Sequence, residues 1–284
     1  MANLKEIRNR IASVSSTMQI TSAMKMVSAA KLKKAQDAIT AMRPYANKLT
    51  ELLQNLSATL DADSGSKYSD QREIKNVLIV AITSNRGLCG AFNSNIIKRA
   101  TAVAESYDAK VSIVAIGKKA NDTLSKNFEV ISNQSPVFDD LTFDNVAAIA
   151  EMLMEQFESK AFDKIEVVYN KFKNAATQEI MTEQFLPIVP SDSASNSNQD
   201  YIFEPSKEEI VETLIPKSLK TQLYKSIRDS FASEHGARMT AMHKATDNAT
   251  ELRDQLKLTY NKARQASITN EILEIVGGAE ALNG

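Results

Sequence analysis

At 284 residues, 43% of them hydrophobic and 24% charged, the chain is long enough for one large domain or two smaller ones and reads as an ordinary water-soluble protein. One cysteine, Cys89, excludes a disulfide framework within the chain and fits a reducing compartment, and there is no run of about 18 apolar residues to span a membrane. The net charge of −1 hides an asymmetry: residues 1–48 hold nine Lys and Arg against two acids, and residues 217–264 hold ten against five, so the rest is strongly acidic.

Two basic ends point to a nucleic acid, an anionic surface or an acidic protein partner, or else to two solvated helix faces. Few aromatics and no Trp favour helices over sandwiches. The first residues, Met1 to Ile7, enter helical pattern at once, with no signal or transit segment visible.

Along the N-terminal segment, alternating steps of three and four pass through Leu4, Ile7, Ile11, Val14, Met18, Thr21, Lys25, Ser28, Leu32, Ala35, Ile39, Met42, Ala46, Leu49, Leu53, Leu56 and Leu60. All but three of these positions are apolar, which is a coiled-coil period. The three exceptions are consecutive and lie in "TSAMKMVSAAKLKK" (21–34), so this stretch faces something other than an ordinary core. Pro44 should bend the helix, because it removes a backbone bond and crowds the preceding turn.

Residues 70–200 change character. "NVLIVAIT" (76–83), "KVSIVAIG" (110–117) and "KIEVVYNKF" (164–172) are β-branched strand runs, separated by helical stretches near 92–106 and 143–159. That alternation predicts a small α/β domain around a mainly parallel, Rossmann-like sheet. "QEIMTEQFLPIV" (178–189) and "YIFE" (201–204) look like an added antiparallel pair, joined by the solvated loop "SDSASNSNQD" (191–200).

The C-terminal helix opens at a capping box, Ser206 and Glu209, after Pro205, with a kink expected near Pro216. Its seam reads Met242, Ala245, Ala249, Leu252, Leu256, Thr259, Ala263 and Ala266, mostly small residues that let two helices approach closely. Gly277 and Gly278 mark its fraying end. The domains expected are an N-terminal coiled-coil helix (1–60), a central α/β domain (61–205) and a C-terminal coiled-coil helix (206–284). At 1.5 Å per residue the two helices would be roughly 85 and 115 Å long, against a radius of gyration of about 19 Å for a globule of this size. They are expected to pair antiparallel as a rod. The longer one projects alone from about residue 264, with Ile268, Ile272, Ile275, Ala279 and Leu282 on one stripe. Bare apolar positions of this kind need an outside enclosure.

Catalytic chemistry is hard to find. "TSNRGLCGAFN" (83–93) sits where nucleotide loops live, but it has only Gly87-x-x-Gly90 and neither G-x-x-x-x-G-K-S/T nor G-x-G-x-x-G. It reads as a tight strand-to-helix turn. Cys89 has no histidine near it in sequence and reads as a small buried thiol. His235 and His243 are eight apart on the C-terminal helix, too far for one metal ion. Glu271 and Glu274 have no visible catalytic partner. No catalytic, cofactor or metal residue is therefore assigned.

The segment "EIRNRIASVSSTMQITSAMKMVSAAKLKKAQ" (6–36) resembles the N-terminal helix of the gamma subunits of F-type ATP synthases. "ITNEILEIVGGAEA" (268–281) is similar to that family's C-terminal signature, and "SNRGLCGAFN" and "ASEHGARMTAMHKATDNA" also match family stretches in the right order. The resemblance implies a central rotor shaft, non-catalytic itself. It would stand in an alpha3beta3 hexamer and bind a membrane c-ring and an epsilon subunit at its foot. ATP, ADP and Mg would bind the partner subunits, and this chain would bind no cofactor. The same resemblance implies contacts to alpha and beta from Met24, Lys25, Arg238, Arg264, Gln265, Thr269, Glu271 and Glu274, and to the c-ring or epsilon from Tyr201 and Glu204. A bacterial enzyme is expected, peripheral on the cytoplasmic face of the inner membrane, its shaft coupling c-ring rotation driven by proton or other ion flow to ATP synthesis or hydrolysis. The competing readings are a coiled-coil scaffold binding nucleic acid through its basic helices, and a nucleotide-dependent enzyme with a coiled-coil arm.

Overall fold

A computed structural model describes residues 4–59, 67–188 and 207–283. Helix α1 (Leu4–Thr59) is followed by strand β1 (Asn76–Ile82), helix α2 (Phe92–Glu105), strand β2 (Lys110–Ile116), helix α3 (Lys118–Leu124) and strand β3 (Glu129–Asn133). A short 3-10 turn at Ser135–Phe138 leads to helix α4 (Phe143–Glu158), strands β4 (Lys164–Phe172) and β5 (Gln178–Leu186), and helix α5 (Lys207–Asn283). The chain packs as two compact units. One joins residues 1–28 with 239–284, and the other comprises residues 29–238. Both long helices contribute to both units.

In the larger unit the five strands order as β3-β2-β1-β4-β5. The first four are parallel and β5 runs antiparallel on the edge beside β4. β1 and β2 are near-continuous Val, Ile, Leu and Ala runs because both sheet faces are covered. Val77, Ile79 and Ala81 point to one core with Ile96 and Ala100 of α2 and Ala120 and Leu124 of α3. Leu78, Val80 and Ile82 point to the other, with Leu153 and Phe157 of α4 and Ile215, Leu219, Leu223 and Ile227 of α5. The four α5 residues recur every fourth position, a single stripe pressed on the sheet.

The three strands and two helices expected from the sequence are all present. "QEIMTEQFL" does form an antiparallel strand, and its partner is β4. "YIFE", the loop 191–200 and Ser206 of the capping box lie outside the described residues. Two elements were not foreseen. β3 is five residues long and alternates exposed with half-buried positions at an edge, and α3 is only seven residues.

Every described position of the expected α1 seam, from Leu4 to Leu49, is buried or half-buried, Thr21, Lys25 and Ser28 included. Helix α1 runs on through Pro44 and α5 through Pro216. The end expected at Gly277-Gly278 is corrected: α5 continues to Asn283, and neither glycine takes the positive φ of a helix cap. Each glycine costs a helix about 1 kcal/mol, which the strong formers around them, such as Glu274, Ala279 and Glu280, offset.

Candidate functional site: the paired helices and the loop after the first strand

In the smaller unit α1 and α5 pair antiparallel. Arg8 donates to the Tyr260 hydroxyl (2.8 Å), a guanidinium N–H of Arg253 lies 3.5 Å from the Met18 sulfur, and the Thr21 and Thr246 hydroxyls meet at 2.8 Å. The expected α5 seam is half right. Met242, Ala245, Ala249, Leu256 and Ala263 are buried or half-buried, but Leu252, Thr259 and Ala266 are exposed. Thr246 is half-buried beside Ala245, and from Leu252 onward the intervening seam positions fall one residue later, at Arg253, Tyr260 and Ser267. The period of 3.5 was correct and one of its two phases was not. Apolarity favoured Leu252, whereas the actual neighbours of α1 are polar groups that hydrogen-bond across the pair.

These contacts explain why "TSAMKMVSAAKLKK" breaks the apolar pattern. The Thr21 hydroxyl is within reach of the Met18 carbonyl (3.1 Å) and of the Thr246 hydroxyl (2.8 Å) and gives its one proton to either, while Thr246 donates to the Met242 carbonyl. Ser28 donates to the Met24 carbonyl (2.8 Å). Each short hydroxyl is satisfied on its own helix, so a small polar residue occupies the seam without an unpaired buried group. Met24 and Lys25 are half-buried, while Ile20, Met26 and Val27 stand out into solvent.

Beyond Ser267, all residues of α5 from Ile268 to Glu280 are exposed, among them Ile268, Ile272, Leu273, Ile275 and Val276. Arg264, Gln265, Thr269, Glu271 and Glu274 are exposed on the same stretch. Their bonds are local: Thr269 donates to the Gln265 carbonyl and Ser267 to Glu271. A helix end that is apolar on several sides and covers none of it is a binding element. Tyr201 and Glu204 lie outside the described residues.

In the larger unit, the crevice beyond the carboxyl ends of β1 and β4 is where open α/β sheets hold ligands. Here α5 fills it. Arg238 donates to the carbonyls of Arg86 and Gly87 in the loop after β1 and pairs with Glu234 one turn back at 2.6 Å. Ser233 donates to the Asn170 carbonyl at the end of β4 (3.0 Å). Gly236 passes so close to Ala175 that an added Cβ would sit 3.1 Å from its carbonyl oxygen. The loop presents carbonyls to a guanidinium, the reverse of a phosphate cradle.

Helix α3 is no freer. Its first-turn N–H groups at Lys118, Lys119 and Ala120 donate to Asn85, Ser84 and Thr83. Between β2 and α3, Gly117 has φ of 115°, and a Cβ there would meet the Thr83 carbonyl oxygen at 2.3 Å. Leu88, a non-glycine at φ of 62°, holds its side chain out at the loop apex, 64% exposed.

The electrostatics follow from burial. Exclusion of water pushes the Glu234 carboxyl up, opposed by Arg238, Lys31 and Arg86. His235 is pushed down to about 3 by burial, with the charges of Arg238 and Lys31 adding to it, so its ring is neutral at neutral pH. Burial likewise pushes the Cys89 thiol up; it is 1% exposed and receives an N–H from Asn93 (3.2 Å), so it is an unreactive thiol. His243 is exposed beside Asp247. Among the described residues no cluster of three metal-ligating side chains occurs, and no helix is long and apolar enough to cross a membrane.

Of the residues expected to meet alpha and beta, the structure therefore brings Arg264, Gln265, Thr269, Glu271 and Glu274 together on one exposed helix end. Arg238 lies apart from them. It is buried and engaged with the chain's own loop, because a guanidinium donates in several directions at once and three acceptors surround it. The signal that could have found this was the match of "SNRGLCGAFN" and "ASEHGARM" as two family stretches, which pack together here.

Comparison with known proteins agrees with this architecture. The family model for ATP synthase matches residues 3–282. The ATP synthase gamma chain of Flavobacterium psychrophilum is 78% identical over the whole of both chains, and that of Flavobacterium johnsoniae 76% identical, again over both entire chains. Among solved structures, a chain of the Tetrahymena thermophila mitochondrial ATP synthase central stalk and c-ring is 26% identical with a TM-score of 0.61, covering 80% of this chain and 99% of that one. A chain of the Euglena gracilis mitochondrial ATP synthase shares the fold at a TM-score of 0.71, covering 98% and 94% at 23% identity. With a loop that grips its own helix where a nucleotide would lie, and a helix end built to be enclosed, the chain belongs to the ATP synthase gamma chain family.

Proposed function

We propose that the chain is the central rotor shaft of an F-type ATP synthase, turning with a membrane c-ring and driving the catalytic sites of an alpha3beta3 hexamer. The exposed apolar end of α5, residues 268–280, carries this reading. It is inserted in the hexamer, where Arg264, Gln265, Thr269, Glu271 and Glu274 contact the surrounding subunits and Met24 and Lys25 face them lower on the shaft. Arg238 belongs to the same proposed contact set, although in the chain alone it is buried against the loop after β1. Tyr201 and Glu204 are assigned to the foot, against the c-ring and the epsilon subunit. ATP, ADP and Mg bind the partner subunits. As part of the membrane-associated F1 complex, the shaft sits at the cytoplasmic face of a bacterial inner membrane.

A shaft that works against three neighbours in turn benefits from sparse, soft contacts. Tight pairing at one angle would make a deep well that stops rotation. The thioether of Met24 and the exposed Met26 adapt to changing surroundings at little cost. Purification from detergent-extracted membranes through a tagged alpha or beta subunit tests the assignment. The chain is expected in the complex at one copy per three beta subunits. A preparation of alpha and beta that lacks it, or a free chain whose binding to nucleic acid falls steeply with salt, overturns it.

A further inference from the structure

Arg43 lies on α1 directly before Pro44, within the larger unit. One of its terminal nitrogens donates to two acceptors from distant parts of the chain, each at 2.8 Å: the carbonyl of Phe172, last residue of β4, and the carboxylate of Asp229 on α5. The Asp229 side chain is entirely buried while Arg43 reaches it from a partly exposed position. The second oxygen of Asp229 has no hydrogen-bond partner. Lys225, one turn earlier on α5, donates to Asn47 of α1 at 3.5 Å and adds its charge to the surroundings of Asp229. Elsewhere along this part of α1 the buried seam is Leu32, Ala35, Ile39, Ala46 and Leu49.

Those two kinds of contact resist different motions. Apolar contact is non-directional and roughly proportional to area, so it opposes separation of α1 but hardly opposes a small slide or twist. A charged hydrogen bond weakens steeply once its donor is misaligned. A fully buried carboxylate that loses the cation hydrogen-bonded to it is left poorly compensated, which makes slippage costly. A fixed guanidinium joined to two acceptors is therefore stiff in shear where the seam is soft.

We propose that Arg43 and Asp229 form a torque clamp, a pair of positioning residues that keeps α1 from slipping against α5 and the sheet when the rotor turns under load. The proposal rests on the rotor reading. Its consequence is selective. Rotation that meets no opposing force does not strain the clamp, whereas rotation against an ion gradient or a high phosphorylation potential does.

The test uses the whole complex in membrane vesicles, with Arg43→Lys, Arg43→Met and the double variant Arg43→Met/Asp229→Leu. Three quantities are read: assembled complex per vesicle, ATP hydrolysis with the gradient collapsed by an uncoupler, and ATP synthesis driven by an imposed gradient. The double variant fills the site with apolar groups and strands no charge, so it is expected to assemble and to hydrolyse ATP at the wild-type rate per complex. Its ratio of synthesis to uncoupled hydrolysis is expected to fall about threefold or more. Arg43→Lys, which keeps the charge but presents a point donor in place of the planar fork, is expected to fall in the same direction. An unchanged ratio in the double variant overturns the clamp, and so does a parallel loss of both activities. Failure of all three variants to assemble makes the pair a folding determinant only and also rejects it. Failure of the rotor reading would show separately, as absence of the wild-type chain from the complex.

Discussion

Replacing Arg238 by Met removes the guanidinium that closes the 84–91 loop onto α5 and strands Glu234 in a site without water. The side chains of Arg238 and Glu234 are only 8% and 10% exposed, so the solvent screening that makes surface ion pairs nearly worthless does not apply. Breaking a buried pair from one side costs about 3–5 kcal/mol. For a unit of this size that is a fall in melting temperature of about 6–20 °C. The double change Arg238→Met with Glu234→Gln leaves no buried charge and should recover most of the loss, with about 1 kcal/mol outstanding for the bonds to Arg86 and Gly87. Thermal unfolding of the full chain followed by circular dichroism gives the first quantity, and amide exchange of residues 84–93 shows whether the loop opens. A pH series adds a signed test. The folded-state pKa of Glu234 is raised above its ordinary 4.5, so the folded protein holds the proton longer and this group's contribution to stability declines as pH rises through that value. In the Arg238→Met chain the largest opposing cation is gone and the decline should extend to higher pH. A melting temperature within about 2 °C of wild type at neutral pH would refute the reasoning.

Other expectations are as direct. Gly117→Ala places a Cβ 2.3 Å from the Thr83 carbonyl oxygen at a φ that side chains rarely adopt, and should lower the stability of the larger unit by about 2–4 kcal/mol in urea unfolding. His235 is neutral in the folded state down to about 3, so its folded pKa is depressed below the ordinary 6.5. The unfolded chain takes up that proton first, and the wild type should lose stability relative to His235→Gln by about 1.4 kcal/mol per pH unit as pH falls below 6.5. Matched unfolding curves at pH 7 and pH 5 measure the difference. Ile275→Asp alters a residue that is 71% exposed, so the isolated chain should unfold within about 0.5 kcal/mol of wild type. Yield of the assembled complex should nevertheless drop, and full assembly would count against enclosure of this helix end.

Much of the architecture is legible along the chain. A 3.5-residue period over α1 states which positions are covered, and every described one is, because a period averages over many residues and survives three polar exceptions. The strands β1, β2 and β4 announce themselves as β-branched runs, since strands buried on both faces must be apolar throughout. β3 and α3 did not, because an exposed five-residue edge strand and a seven-residue helix carry too few buried positions to make a pattern. The unpartnered end of α5 could be anticipated from the unequal lengths of the two helices and the isoleucines at its tip.

Sequence by itself thus determined the helical period, the parallel sheet and the apolar tip, all of which follow from regular spacing of residue types. Only the tertiary structure decided which phase of the α5 seam meets α1, where polar Arg253 and Tyr260 take the places that the repeat assigned to Leu252 and Thr259. It alone turned Arg238 inward and joined Arg43 to Asp229 across 186 residues of chain. Periodicity ranks positions by hydrophobicity, and that is a property of one segment. A hydrogen bond between distant charged groups depends on where two segments come to lie, and no local pattern encodes it.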